Sequence, residues 1–210
     1  MIKEKNYYLN KSLFISATNT DVGKTYGCEK FAIALTNLGL KVGYFKPFET
    51  GVIDKPIDGS YMLDLIKQLN PQFDFDINEV VPYQFKLPAA PYVAKKDTKL
   101  DFEFLLNQKK KLQKKCDVLI IEGAGGLMVP IQKNMFIIDL IKKFDCEAIL
   151  ITPSKLGCIN DTLLSIEALK NRDIKFDFYI NLYQDKDTFE DVSLPFLKDY
   201  FPKINYLQEL

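Results

Sequence analysis

SATNTDVGKT, residues 16–25, ends in the Gly-Lys-Thr of a phosphate-binding loop and follows the apolar run Leu13, Phe14 and Ile15. Such a loop aims successive backbone N–H groups at phosphate oxygens, with a helix N-terminus behind them. Here Gly23 permits close approach, Lys24 brings a mobile positive charge and Thr25 a hydroxyl suited to magnesium. The common pattern has a glycine five residues before Gly23, where this chain has Thr18, and Ala17 stands one residue earlier. Taken alone, the stretch is as compatible with an ordinary strand-to-helix turn and a solvated lysine as with a nucleotide site.

The surrounding chain supplies context. Apolar runs at 13–15, 42–45, 118–121, 148–151 and 178–180 read as strands buried on both faces. Between them, residues 24–38, 60–69, 101–115, 136–144 and 160–170 carry apolar side chains at helical spacing, with Gly39 as a stop after the first. The alternation predicts an α/β fold, a mostly parallel sheet flanked by helices in three layers, as in phosphate-loop NTPases. Residues 1–210 are read as one domain, long enough to bury a substantial core. Pro71, Pro82, Pro88 and Pro91 mark residues 70–99 as a long, partly ordered excursion. KKKLQKK, residues 109–115, reads as a solvated helix face.

In sheets of this kind ligands bind beyond the carboxyl ends of the strands. The segments that follow the strands are SATNTDVGKT, KPFETG, EGAGG, TPSKLGCIN and NLYQ. Glu122 ends a buried strand and leads into a glycine-rich turn, where a carboxylate can hold magnesium directly or through water. Lys46 ends the second strand, where it can stabilise charge between a γ-phosphate and an acceptor.

Composition excludes several chemistries. The chain has no histidine, so Ser-His-Asp triads, Cys-His dyads and His-ligated metals are ruled out. The 28 basic and 28 acidic residues balance, which argues against a nucleic-acid partner held by bulk charge. No run approaches the roughly 18 apolar residues of a membrane span, and no apolar leader opens the chain, so a cytoplasmic protein with no membrane partner is expected. Cys28, Cys116, Cys146 and Cys158 are scattered without any C-x-x-C pair and read as reduced thiols.

In order and separation, TNTDVGKT (18–25), YFKPFETG (44–51), EGAGGLMVP (122–130) and KLGCIN (155–160) resemble the dethiobiotin synthetase family of biotin synthesis. The similarity runs from about Leu13 to Asn181. The family's loop is one residue longer than the common pattern and usually has glycine where this chain has Ala17. The resemblance implies ATP-dependent ring closure of 7,8-diaminononanoate with CO2, through a carbamate and a carbamic-phosphoric anhydride, with Mg2+ as cofactor, in a homodimer. It implies catalytic roles for Lys46 and Lys24, and a nucleotide site formed by Thr20, Asp21, Val22, Gly23, Lys24, Thr25 and Asn181. Thr50 and the run Gly123, Ala124, Gly125 and Gly126 would line the substrate side. Leu156, Gly157, Cys158 and Asn160 would receive the substrate carboxylate at a helix start facing the partner subunit. Thr25 and Glu122 would hold the metal.

Two departures stand out. Family members place a magnesium-binding aspartate after a serine, where this chain has Tyr61 after Ser60. Asp58, Asp64 or an additional water are the possible replacements. Residues after Asn181 lack a recognisable base-binding segment, from which loose recognition of adenine is expected. Three rivals accompany the synthetase reading. A partition-type regulatory ATPase would carry a second lysine early in the loop, and none lies between Ala17 and Gly23. An amidoligase related to cobalamin synthesis would need a glutamine-hydrolysing domain. A catalytically inactive nucleotide-binding homologue would have lost metal use through Tyr61.

Overall fold

The computed structural model describes residues 2–210. In chain order its strands are β1 (Lys11–Ala17), β2 (Val42–Phe45), β3 (Phe48–Thr50), β4 (Tyr83–Phe85), β5 (Val118–Gly126), β6 (Pro130–Gln132), β7 (Met135–Phe136), β8 (Glu147–Pro153) and β9 (Phe176–Asn181). The helices are α1 (Lys5–Tyr8), α2 (Lys24–Asn37), α3 (Ile57–Leu69), α4 (Ile77–Val80), α5 (Pro91–Ala94), α6 (Phe102–Gln113), α7 (Ile137–Lys143), α8 (Cys158–Lys170), α9 (Lys186–Val192) and α10 (Leu194–Tyr200).

Five parallel strands form the central sheet in the order β2-β5-β1-β8-β9. All five predicted strands are present. Phe14, Ile15, Phe45, Ile120, Ile121, Leu150 and Ile151 are buried, as an interior parallel sheet covered on both faces requires. From α2, Phe31 meets Tyr179 edge-on at 5.1 Å between ring centroids. The order reverses around β1, which lies between β5 and β8. The carboxyl end of β1 is therefore the crevice where a ligand is expected.

Two expectations are corrected. Residues 70–99 are ordered and contain α4, β4 and α5. Asn70 anchors the segment by donating from Nδ2 to the carbonyls of Val42 and Lys115, both at 3.0 Å. Phe73 and Phe75 pack edge-on, Asp76 and Glu79 form a capping box, and β4 pairs in parallel with β3. Prolines suggested irregularity, but Pro91 opens a helix at a position where its missing N–H costs nothing. Second, EGAGG is not a turn after the strand. β5 runs on through Gly126, pairing Ile15 with Glu122 and Ala17 with Gly126 across a bulge.

The lysine-rich segment lies on α6 and just beyond it, where Lys109 donates to the Phe144 carbonyl at 2.6 Å and Lys111 pairs with Glu79. All four cysteines are free, and burial pushes the Cys116 and Cys146 thiols up to about 12. Among the described residues, no helix is long and apolar enough to cross a membrane.

Candidate active site

The loop leaves β1 with Thr18 N–H donating to the Ile151 carbonyl at 3.0 Å, and it packs against the end of β5. A Cβ on Gly126 would lie 3.1 Å from the Thr18 carbonyl oxygen and 3.3 Å from that of Ala17. Gly126 thus lets β5 and the start of the loop approach closely. At the other end, Gly23 adopts φ +94° as the N-cap of α2. Asp21, also at positive φ, and Gly23 turn the chain so that the first N–H groups of α2 face the crevice.

Behind this loop is a buried charged cluster. Glu122, on β5, is 1% exposed. Its Oε1 accepts from Lys46 Nζ at 2.5 Å and from the Thr25 hydroxyl at 3.0 Å, and its Oε2 accepts from the Tyr44 hydroxyl at 2.7 Å. Burial opposes the charge on Glu122, yet Lys46, Tyr44 and Lys24 outweigh it and hold the carboxyl below its ordinary range. Burial likewise opposes the charge on Lys46, and Glu122 and Asp58 overcome it, raising its amine. Lys46 also lies 3.4 Å from Asp58 Oδ2, from the first turn of α3. Lys24 is different: desolvation lowers its amine against the pull of Glu122, with Lys46 adding to the lowering. A weakly compensated lysine beside a crevice is suited to receive an anion.

These groups line a cleft of about 1010 Å³, together with Thr20, Asp21, Thr50 and residues 88–91. Asn181 also lines it, packed against the loop, and its Nδ2 donates to the Val22 carbonyl at 3.0 Å. Gln208 from the C-terminal turn donates to Asn181 Oδ1 at 3.0 Å, and Tyr183 donates to the Asp21 carbonyl. Segments after Asn181, featureless by motif, thus reach the site through the side chains of Tyr183, which holds the loop at Asp21, and Gln208, which holds Asn181.

The structure gathers Thr20, Asp21, Gly23, Lys24, Thr25, Lys46, Thr50, Asp58, Glu122, Gly123, Ala124, Gly125 and Asn181 around one cleft. Val22 is buried beneath it, and Gly126 is buried against the loop's start. Leu156, Gly157, Cys158 and Asn160 do not line the cleft. Leu156 is 76% exposed, and the N-cap of α8 is Gly157 at φ +92°, which moves the helix start ahead of the expected Asn160. Tyr61 turns away, donating to Glu29 Oε2 at 2.8 Å, and Asp64 is exposed outside the cleft, so Asp58 is the α3 acid in the site. Tyr44 and Glu49 were missed. Tyr44, on β2, precedes Lys46, one residue beyond its end, by two, so both side chains reach Glu122, and that period-two spacing was the available signal.

Tyr44→Phe removes the hydroxyl that donates to the buried Glu122 Oε2. A loss of about 1–3 kcal/mol in unfolding free energy is expected, measurable as a lower urea midpoint with unchanged slope.

A parallel sheet with a phosphate loop at the reversal of its strand order, the N-terminus of α2 behind the loop and a buried acid on the neighbouring strand β5 defines a phosphate-loop nucleotide-binding protein. Solved structures agree on the fold. MinD in the MinC:MinD complex of Aquifex aeolicus superposes with a TM-score of 0.57 at 18% identity, over 93% of this chain and 79% of that one. A plasmid partition protein of Borrelia burgdorferi gives 0.58 at 14%, over 93% and 89%. A family model described as an AAA domain matches residues 11–180. Sequence relatives are more specific. The ATP-dependent dethiobiotin synthetase BioD of Sulfurovum sp. (strain NBC37-1) is 47% identical, over 91% of each chain. Those of Wolinella succinogenes and Nitrosopumilus maritimus are 41% identical (90% of this chain, 89% of that one) and 33% identical (90% of each). The chain belongs to the dethiobiotin synthetase family, and is therefore an ATP-dependent ligase.

Proposed function

We propose that the cleft joins CO2 to 7,8-diaminononanoate at the expense of ATP, closing the cyclic urea of dethiobiotin. One amine of the substrate attacks CO2 and loses a proton, giving a carbamate. A carbamate oxygen then attacks the γ-phosphorus as the bond to ADP breaks. The second amine attacks the carbonyl carbon of the mixed anhydride and expels phosphate. The observation that supports this reading is the Lys46–Glu122–Asp58 cluster, a buried, ion-paired cation that lines the same cleft as Lys24, Thr25 and Thr50. The substrate supplies both nucleophiles, so the protein needs no histidine. Its work is positioning and charge neutralisation.

Lys24 would neutralise phosphate charge and Lys46 would bridge the carbamate and the γ-phosphate. Thr25, Glu122 and Asp58 offer one hydroxyl and two carboxylates from three elements. That hard-oxygen set suits Mg2+, which keeps waters and takes phosphate oxygens as remaining ligands. When bound, the ion would screen the charge on the phosphate oxygens. Asn181 would face the base. The exposed Leu156, with Gly157, Cys158 and Asn160 at the start of α8, would serve a substrate carboxylate from across a homodimer interface, in a cytoplasmic enzyme of one domain.

The test is phosphate release from Mg-ATP and bicarbonate with and without the diamine, with dethiobiotin followed by mass. Diamine-dependent release matched by dethiobiotin is expected. Nucleotide binding without diamine-stimulated release would refute the reading and leave the inactive homologue.

A further inference from the structure

We infer that Glu49 is a positioning residue: from β3 it holds the first turn of α3 so that Asp58 is presented to the cation site. The inference rests on the assignment of Asp58 to the metal under the proposed function. α3 begins at Ile57 behind Pro56, and its N-cap makes no side-chain hydrogen bond of its own. The first N–H groups of a helix need acceptors. Glu49 supplies them from another element, Oε1 accepting from Asp58 N–H at 3.1 Å and Oε2 from Gly59 N–H at 2.9 Å. A carboxylate at that end also complements the helix dipole.

Both oxygens of one side chain are thus used on two consecutive amides, which fixes the turn in position and in rotation. Glu49 is 6% exposed, and β3 is itself held by parallel pairing with β4, Glu49 opposite Gln84. The turn carries Asp58 to 3.4 Å from Lys46, the same amine that touches Glu122. Asp58 is thus presented by a turn that its own N-cap does not secure.

The measurement is Mn2+ binding by electron paramagnetic resonance on the full chain with a non-hydrolysable ATP analogue, plus amide exchange of residues 57–60. Glu49→Ala is expected to weaken Mn2+ binding about tenfold and to speed exchange at Asp58 and Gly59. The Glu49→Ala, Asp58→Asn double variant is expected to bind no more weakly than Asp58→Asn alone, since both act through one ligand. Glu49→Gln, which keeps the shape and one acceptor, should fall between wild type and Glu49→Ala and carries the test if the alanine variant does not fold. Wild-type Mn2+ binding in both Glu49 variants, with binding lost in Asp58→Asn, would overturn the inference and leave the metal assignment standing. Wild-type binding in Asp58→Asn would overturn the assignment itself, and the inference with it.

Discussion

Replacing Lys46 by alanine is expected to lower diamine-dependent turnover by about 10²–10³-fold, the cost of removing one preorganised charge from the reacting centre. Binding of Mg-ATP should change far less, because Lys24 and the loop amides remain. Single-turnover phosphate release and nucleotide titration distinguish the two effects. The substitution carries a second penalty. Lys46 is the 2.5 Å partner of Glu122, a carboxylate 1% exposed. Breaking a buried pair from one side costs about 3–5 kcal/mol, because the other charge stays uncompensated. Unfolding should therefore shift strongly in Lys46→Ala and recover in Lys46→Met combined with Glu122→Gln, while turnover recovers in neither. Near-normal turnover with diamine in a folded Lys46→Ala would remove the charge-bridging role.

The other large effect concerns Gly23. Its φ of +94° lies where a side chain is strained, and a Cβ there would stand 2.4 Å from Asn181 Nδ2. Asn181 has little room to yield: it is 3% exposed, donates to the Val22 carbonyl and accepts from Gln208. Left-handed strain alone is about 1–2 kcal/mol, which is roughly five- to thirtyfold in an equilibrium constant. Gly23→Ala should weaken ATP binding by at least that factor in calorimetry. The loss should persist without magnesium, since the damage is to the amide cradle and not to the oxygen ligands. Unaltered affinity would mean that the loop does not hold phosphate.

The central sheet was legible because buried parallel strands are continuous apolar runs, and each one predicted is present. The loop, Lys46 and Glu122 were legible because their chemistry is written in residue type beside or just beyond the apolar runs. What escaped detection depends on partners distant in sequence. Tyr44 looks like one more core aromatic until Glu122 is placed 2.7 Å away. Glu49 looks like a surface acid until α3 turns its amides toward it. The extent of β5 was misread because glycines resemble a turn in sequence, whereas here they let β5 and the loop after β1 approach. The start of α8 was misplaced for the opposite reason: Asn160 is a good cap by type, and Gly157 in the left-handed region preempts it.

The placement of β1 between β5 and β8 bears on how the chain comes into being. β1 is made first among the strands, and its two neighbours begin only at Val118 and Glu147. At ribosomal speeds of about 5–20 residues per second, β1 waits on the order of 5–20 s for its first neighbour. During that time an apolar strand has two open edges, and the phosphate loop attached to it has neither Gly126 nor Ile151 to rest against. ATP therefore cannot guide the early steps of folding. The nucleotide site is assembled late, by long-range pairing of the slow kind, and the interval before it is when the nascent chain most needs shielding from its neighbours.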